Sequence, residues 1–173
     1  MKKFIIGFST PIKPTLFAKS IMWADKTEYD HVYVKWHSDS IERDIIYQAS
    51  KLAVNFESDT TFKKHAIAIE EYEIQLDDSV FKKIGQFCMD NSNEPYSIKQ
   101  VLGLGWVKLN KILFNKVVEN PVPANGSEWV CSIIAAEIMI IAGIIDAKYS
   151  INNMDPLDLN TIIKSIPAIK RIL

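Results

Sequence analysis

Cys131 is the residue whose position most invites chemistry. It follows the Pro- and Gly-containing loop Glu119–Glu128 and sits at the head of the apolar stretch Trp129–Ile145, in which Glu137 is the one charged residue after Trp129. A Cys in the first turn of such a helix meets unpaired backbone N–H groups and the positive end of the helix dipole. Both favour a thiolate, whose pKa falls from about 8.5 toward roughly 3.5–7.5 where a His assists. The same N–H groups can hold the oxyanion of a tetrahedral intermediate. Position alone also fits a small buried hydrophobe.

A thiol nucleophile needs a base, and the chain has three His. His31 heads the segment His31–Trp36, between Asp30 and Val32. His37 lies at its far end, and His65 lies in a polar stretch. Alternation along His31–Trp36 places Val32, Val34 and Trp36 on one face of a strand and His31, Tyr33 and Lys35 on the other. His31 therefore stands off the apolar face. A third group should fix the tautomer and orientation of the imidazole. Gln48, on the next expected strand Ile45–Ala49, returns to His31 if the two strands form an antiparallel hairpin. Its amide oxygen can accept from an imidazole N–H, although it cannot offset the charge of an imidazolium. Gln48 also fits an ordinary polar strand residue.

The elements that must hold these groups follow from pattern. Phe4–Phe8 reads as a strand, and Pro14-Thr15 opens a short helix through Leu16, Phe17, Ile21, Met22 and Trp23. After the two strands just named, Leu52–Phe56 is a further strand candidate and Glu57–Lys64 a loop or short helix. Ala66–Leu76 is strand-like, with an irregularity expected at Glu70-Glu71. Asp77-Asp78-Ser79 offers N-cap groups for a helix from Val80 to about Met89. Ser97–Val118 is helical in pattern, with interruption expected near Gly103 and Gly105. Trp129–Ile145 forms a core helix, and Asp155-Pro156 starts a last helix through Ile163, Pro being favoured in a first turn. The expectation is one α+β domain over residues 1–173, an antiparallel sheet packed with helices.

The order of the pieces resembles a known family. Papain-like hydrolases of the NlpC type carry a Cys at a helix start, a strand of the form His-Val-Gly-Ile-Tyr, and a third polar residue on the next strand. His31-Val32-Tyr33-Val34-Lys35-Trp36 looks like that His strand, Ile46-Tyr47-Gln48-Ala49 like the strand of the third residue, and Trp129-Val130-Cys131-Ser132-Ile133-Ile134-Ala135 like the Cys helix. The Cys helix comes last here, which matches the circularly permuted branch, the YiiX-like hydrolases and the lecithin:retinol acyltransferase relatives. Glu94-Pro95-Tyr96-Ser97 with Leu102-Gly103 resembles the stretch before the Cys helix in that branch, and Asp155-Pro156-Leu157-Asp158-Leu159 the helix after it.

The chain departs from the pattern at Tyr33, where a small residue is usual, at Gln48, where Glu or His is commoner, and in Cys-Ser-Ile-Ile, which lacks an acidic residue two after the Cys. The resemblance implies a permuted papain-like arrangement and a cysteine hydrolase acting on an amide, ester or thioester bond. Cys131 would be the nucleophile, His31 the base and Gln48 the residue that orients it. Tyr29 and Tyr96 would line a cleft for a peptide, peptidoglycan-like or lipid acyl substrate. No cofactor or metal is implied. Lipid-directed acyl transfer and a catalytically silent binding or structural member of the fold are the alternative readings.

Composition bounds the remainder. The 173 residues carry 48% hydrophobic and 24% charged side chains, as expected of a chain that buries a core. Twenty basic residues against twenty-one acidic ones give a net charge of −1, without the basic excess of a nucleic-acid binder. Two Cys are too few for a disulfide scaffold or a zinc site of their own, and Cys88 reads as a buried structural thiol. The apolar run Phe4–Phe8 is shorter than a secretory core of roughly 7–15 residues, and Ile133–Ile145 is shorter than the about 20 of a membrane span. The cytoplasm is then the default expectation, and a phage-encoded or delivered protein would read the same. Residues 104–118 mix Trp106, Leu109, Ile112, Leu113 and Phe114 with Lys108, Lys111 and Lys116. That composition suits a core-facing helix with a solvated lysine face, or a helix lying on a membrane surface.

Overall fold

The computed structural model describes residues 1–50, 53–122, 127–149 and 151–173. It is an α+β fold with a six-stranded antiparallel sheet. The strands are β1 (Lys2–Pro11), β2 (His31–Ser38), β3 (Arg43–Ser50), β4 (Ala53–Ser58), β5 (Ala66–Leu76) and β6 (Lys170–Arg171), in the order β4-β3-β2-β1-β5-β6. The helices are α1 (Leu16–Asp25), α2 (Asp59–Phe62), α3 (Asp78–Asp90), α4 (Ile98–Phe114), α5 (Cys131–Ile141) and α6 (Pro156–Lys164), with a 3₁₀ turn at Ile151–Asn153. Among the described residues no helix is long and apolar enough to cross a membrane.

Alternation decides which face of the sheet is which. Phe4, Ile6 and Phe8 of β1 stand opposite Trp36, Val34 and Val32 of β2, and these join Tyr72, Ile74 and Leu76 of β5 in the main core. Against that face lies α5, where Ile133, Ile134, Ile138 and Met139 are fully buried. Each contributes roughly 1.5–3 kcal/mol by leaving water, which explains why so apolar a helix sits at the centre. The opposite face holds a smaller cluster of Tyr33, Ile46, Phe62 and Ala66. It also carries a buried polar group, in which Glu71 accepts from the Tyr33 hydroxyl at 2.6 Å and pairs with Lys35.

Local signals set most of the boundaries. The Thr15 hydroxyl caps α1 by accepting from the N–H of Ala18. Asp155 and Asp158 form a capping box at α6, with Pro156 in the first turn. β5 does carry a bulge, but just before the expected Glu70-Glu71: Phe8 pairs with Glu70 and Ser9 with Ala68, leaving Ile69 unopposed. Part of the strand candidate Leu52–Phe56 lies outside the described residues, namely Leu52, as does Asn125-Gly126 in the loop before α5.

Two expectations need correction. α4 runs through Gly103 and Gly105 without a break. Gly103 serves close packing instead, because a Cβ there would stand 1.9 Å from Oδ1 of Asn120. Most apolar side chains of α4 are also not core: Leu102, Trp106, Ile112, Leu113 and Phe114 are exposed, while Val101 joins the core and Leu104 packs against it.

Candidate active site

The segment between α3 and α4 ties the sheet edge to the start of α5. Val54 of β4 donates to Glu94 O at 2.8 Å and accepts from Asn93 at 2.9 Å. Pro95 O then accepts from Trp129 at 3.0 Å, and Ser97 N donates to Trp129 O at 2.9 Å. Ser132 Oγ bonds Met154 O at 2.7 Å. Cys131 is thereby fixed at the first position of α5, behind Val130, which provides no side-chain cap. With no capping side chain in the way, the backbone N–H groups of Cys131 and Ser132, and that of Val32 from β2, lie where they favour the charged form of the thiol.

These N–H groups act in the direction the sequence leads one to expect, lowering the thiol pKa, but burial outweighs them. Cys131 is 3% exposed, and desolvation of the thiolate, with Asp30 nearby, pushes its pKa up to about 11. The expected depression does not occur. His31 moves the opposite way for the same reason. Burial disfavours the imidazolium and lowers the pKa to about 4, against a smaller upward effect of its bond to Gln48. At neutral pH both groups are uncharged.

The hairpin brings His31 and Gln48 together. β2 and β3 are antiparallel, with Val34 opposite Tyr47, and His31 Nε2 lies 2.6 Å from Gln48 Oε1. Cys131 reaches β2 one residue further along, at the N–H of Val32. Among the described residues no hydrogen bond joins the thiol to His31, and the two groups line adjoining cavities. One, of about 740 Å³, is bordered by His31, Gln48, Asn55, Glu57, Lys64 and His65. The other, of about 370 Å³, lies between α1 and α4 and reaches Cys131, Val130 and Ser132. Asp30 and Tyr96 border both.

Of the two tyrosines expected at a cleft, Tyr96 borders both cavities. Burial holds its hydroxyl well above the usual range, with smaller contributions from Cys131 and Asp30. Tyr29 lines neither cavity. It is packed in the core against Phe8, and its hydroxyl accepts from Asn160 at 2.6 Å. Burial pushes its pKa up to about 12.

Two further residues, Asp30 and Glu57, border the cavity on the His31 side. Asp30 has one carboxyl oxygen buried without a partner among the described residues, and burial raises its pKa. Glu57 accepts from the Gln48 amide with one oxygen and lies 3.0 Å from His65 Nε2 with the other. Glu57 and Asn55 alternate with Val54 and Phe56 along β4, a polar-apolar pattern that points them at the His31 face. That alternation was the signal available for Glu57. His37 pairs with Asp44 at an exposed position away from this group, and both Cys are unbridged and buried. Compared with known protein families, curated proteins and solved structures, the chain matches none.

Proposed function

We propose that the protein is a cysteine hydrolase of permuted papain-like arrangement, acting on an amide, ester or thioester carbonyl through Cys131 and His31. One observation carries the reading. A thiol at an uncapped helix start meets the strand that opens with His31, whose outer nitrogen is already held by Gln48 at 2.6 Å. The chain order His31, Gln48, Cys131 on an antiparallel sheet with α5 laid across it supports the permuted arrangement.

The mechanism follows from the charge states. Moving a proton from a thiol near pKa 11 to an imidazole near 4 costs roughly 10 kcal/mol if the two charges do not interact. Even a separation of about 4 Å would return only about 4 kcal/mol at an effective dielectric of 20. A resting thiolate–imidazolium pair is therefore disfavoured. The proton leaves sulfur as the bond to the carbonyl carbon forms, and His31 accepts it at Nδ1 as general base. The carbonyl electrons pass to oxygen, which the N–H groups of Cys131 and Ser132 would stabilise. His31 returns the proton to the leaving amine, alcohol or thiol. Water, activated by the same imidazole, then releases the acyl group from sulfur. Gln48 holds the Nε2–H throughout.

A second reading, lipid-directed acyl transfer, draws on the cavity on the Cys131 side. Its walls include Ile21, Trp23, Leu104, Leu109 and Ile112, an apolar stretch suited to an aliphatic chain, beside the charged Lys108, Asp25 and Asp155. The exposed apolar residues of α4 stand among Lys99, Lys111 and Lys116, with no acidic residue in the helix, a surface that suits an anionic membrane. Purified protein offered short acyl-peptides, soluble thioesters and phospholipid esters separates the readings. Water as acceptor gives free acid, an added alcohol or amine as acceptor gives transfer product, and both must vanish in Cys131→Ala. Absence of all turnover, or turnover that survives Cys131→Ala, would overturn the proposal.

A further inference from the structure

Gln48 lies between two groups that make opposite demands on it. Its side chain is 2% exposed, its Oε1 is 2.6 Å from His31 Nε2, and its Nε2 donates to Glu57 Oε1. An amide has one end that only accepts and one that only donates, whereas a carboxylate only accepts. Glu57 therefore dictates which way the Gln48 amide faces. With the NH₂ turned to Glu57, the carbonyl must face His31. A carbonyl oxygen at 2.6 Å is satisfied only by an N–H, so the imidazole proton sits on Nε2 and Nδ1 is left with its lone pair.

We propose that Glu57 is a positioning residue: it locks the amide of Gln48 and, through it, holds His31 in the Nε2–H tautomer. The catalytic consequence rests on the cysteine hydrolase reading above; the tautomer itself does not. Without Glu57 the amide is free to turn over and offer its NH₂ to His31. The ring then accepts at Nε2 and carries its proton on Nδ1, where it can no longer take one from a thiol.

The fold holds Glu57 for this role from both sides. β4 pairs with β3 so that Gln48 faces Asn55 and Ile46 faces Glu57, which sets Glu57 one step diagonally from Gln48 on the same face. The second carboxylate oxygen, Oε2, is 3.0 Å from Nε2 of His65. His65 is itself placed by the turn that follows α2, its N–H bonded to Phe62 O at 3.0 Å and its ring against the Phe62 ring. With 13% of its side chain exposed, Glu57 is screened from water that would compete for the amide. The arrangement His31–Gln48–Glu57–His65 thus uses an amide where a carboxylate is commoner, and the carboxylate appears one residue further out.

The test is the tautomer of His31, read by ¹⁵N–¹H correlation of imidazole nitrogens in His-labelled full-length protein at pH 7.5, with His31→Asn used to assign the signals. In wild type His31 should be a single Nε2–H form. In Glu57→Gln, which keeps the size but adds a donor, and in Glu57→Ala, both tautomers should appear, with circular dichroism confirming that each variant is folded. Glu57→Asp, which restores a carboxylate, should move the population back toward Nε2–H. For a substrate that turns over, kcat should fall by about tenfold or more in Glu57→Gln with KM unchanged, since a wrong tautomer acts on the chemical step. Pure Nε2–H in both folded Glu57→Gln and Glu57→Ala, or an Nδ1–H form in wild type, overturns the inference. A tautomer shift in a protein without any turnover would instead sustain it and leave the hydrolase reading without support.

Discussion

The charge state of Cys131 makes a prediction that separates this site from one with a preformed ion pair. The perturbation is pH itself, in protein with Cys88→Ala so that one thiol remains. At pH 7.5 an ordinary thiol of pKa about 8.5 is about one-tenth thiolate. With its pKa pushed up to about 11, Cys131 is ionised about 300-fold less. The more basic thiolate is also the better nucleophile, which returns about tenfold. Alkylation by iodoacetamide should therefore be about 30-fold slower than that of a free thiol, before burial slows it further. The rate should climb about tenfold per pH unit toward pH 11 without a plateau in the acid range. His31→Ala should leave this profile in place, because the neutral imidazole does not ionise the resting thiol. The assay is intact-mass alkylation kinetics from pH 5 to 10. A rate already high near pH 6 that collapses in His31→Ala would refute the neutral resting pair and restore the ion-pair expectation.

Acid should unfold the protein through His31. Its pKa is near 4 in the fold and about 6.5 in the unfolded chain, so between these values the unfolded state binds more protons. Stability from this group is complete above pH 6.5 and declines by as much as about 3 kcal/mol as pH falls to 4; urea titrations should show His31→Gln losing that dependence, and an identical slope in the variant would contradict it. Gly7→Ala should cost about 1–3 kcal/mol, because the new Cβ would lie 2.2 Å from Cζ of Tyr33, a buried ring wedged on Phe62. Tyr33→Ala in the same protein should show favourable coupling in a double-mutant cycle, and strict additivity would sink the argument. Gly103→Ala should also destabilise, although Ala is favoured over Gly in a helix by about 1 kcal/mol. Asn120, which meets the new methyl, is held by Gln100 O, Asn152 O and Val122 N; a higher melting temperature for this variant would mean that Asn120 yields freely.

The sheet was legible where alternation is strict. His31–Trp36 announces both a strand and its two faces, and the hairpin with β3 brings Gln48 to His31 as the pattern requires. Helix starts were legible where a capping group is written into the chain, as at Thr15 and Asp155. β6 was not, since two basic residues at the sheet edge carry no pattern. Gly103 misled because a glycine that breaks a helix and a glycine that admits a neighbour look alike in sequence; only the approach of Asn120 tells them apart.

The site divided along the same line. The helix start that aims N–H groups at Cys131 could be read from a Pro/Gly loop ending at an apolar run. The sign of the pKa could not, because it depends on how completely α5, β2 and their neighbours exclude water from the thiol. Glu57 was hidden because its role exists only through Gln48. Asp30 was hidden because a buried carboxyl oxygen without a partner is a property of packing.

The central claim is that Cys131 carries the acyl group, and trapping that intermediate tests it most directly. Wild type, Cys88→Ala, Cys131→Ala and His31→Ala would each be mixed with activated acyl esters and thioesters, quenched in acid, and read by intact and peptide mass. The account predicts an acyl adduct on the peptide containing Cys131 in wild type and Cys88→Ala, its formation slowed by about 10²–10⁴-fold in His31→Ala and abolished in Cys131→Ala. An adduct on another residue, equal acylation with and without His31, or turnover with no adduct and no need of Cys131 would contradict it.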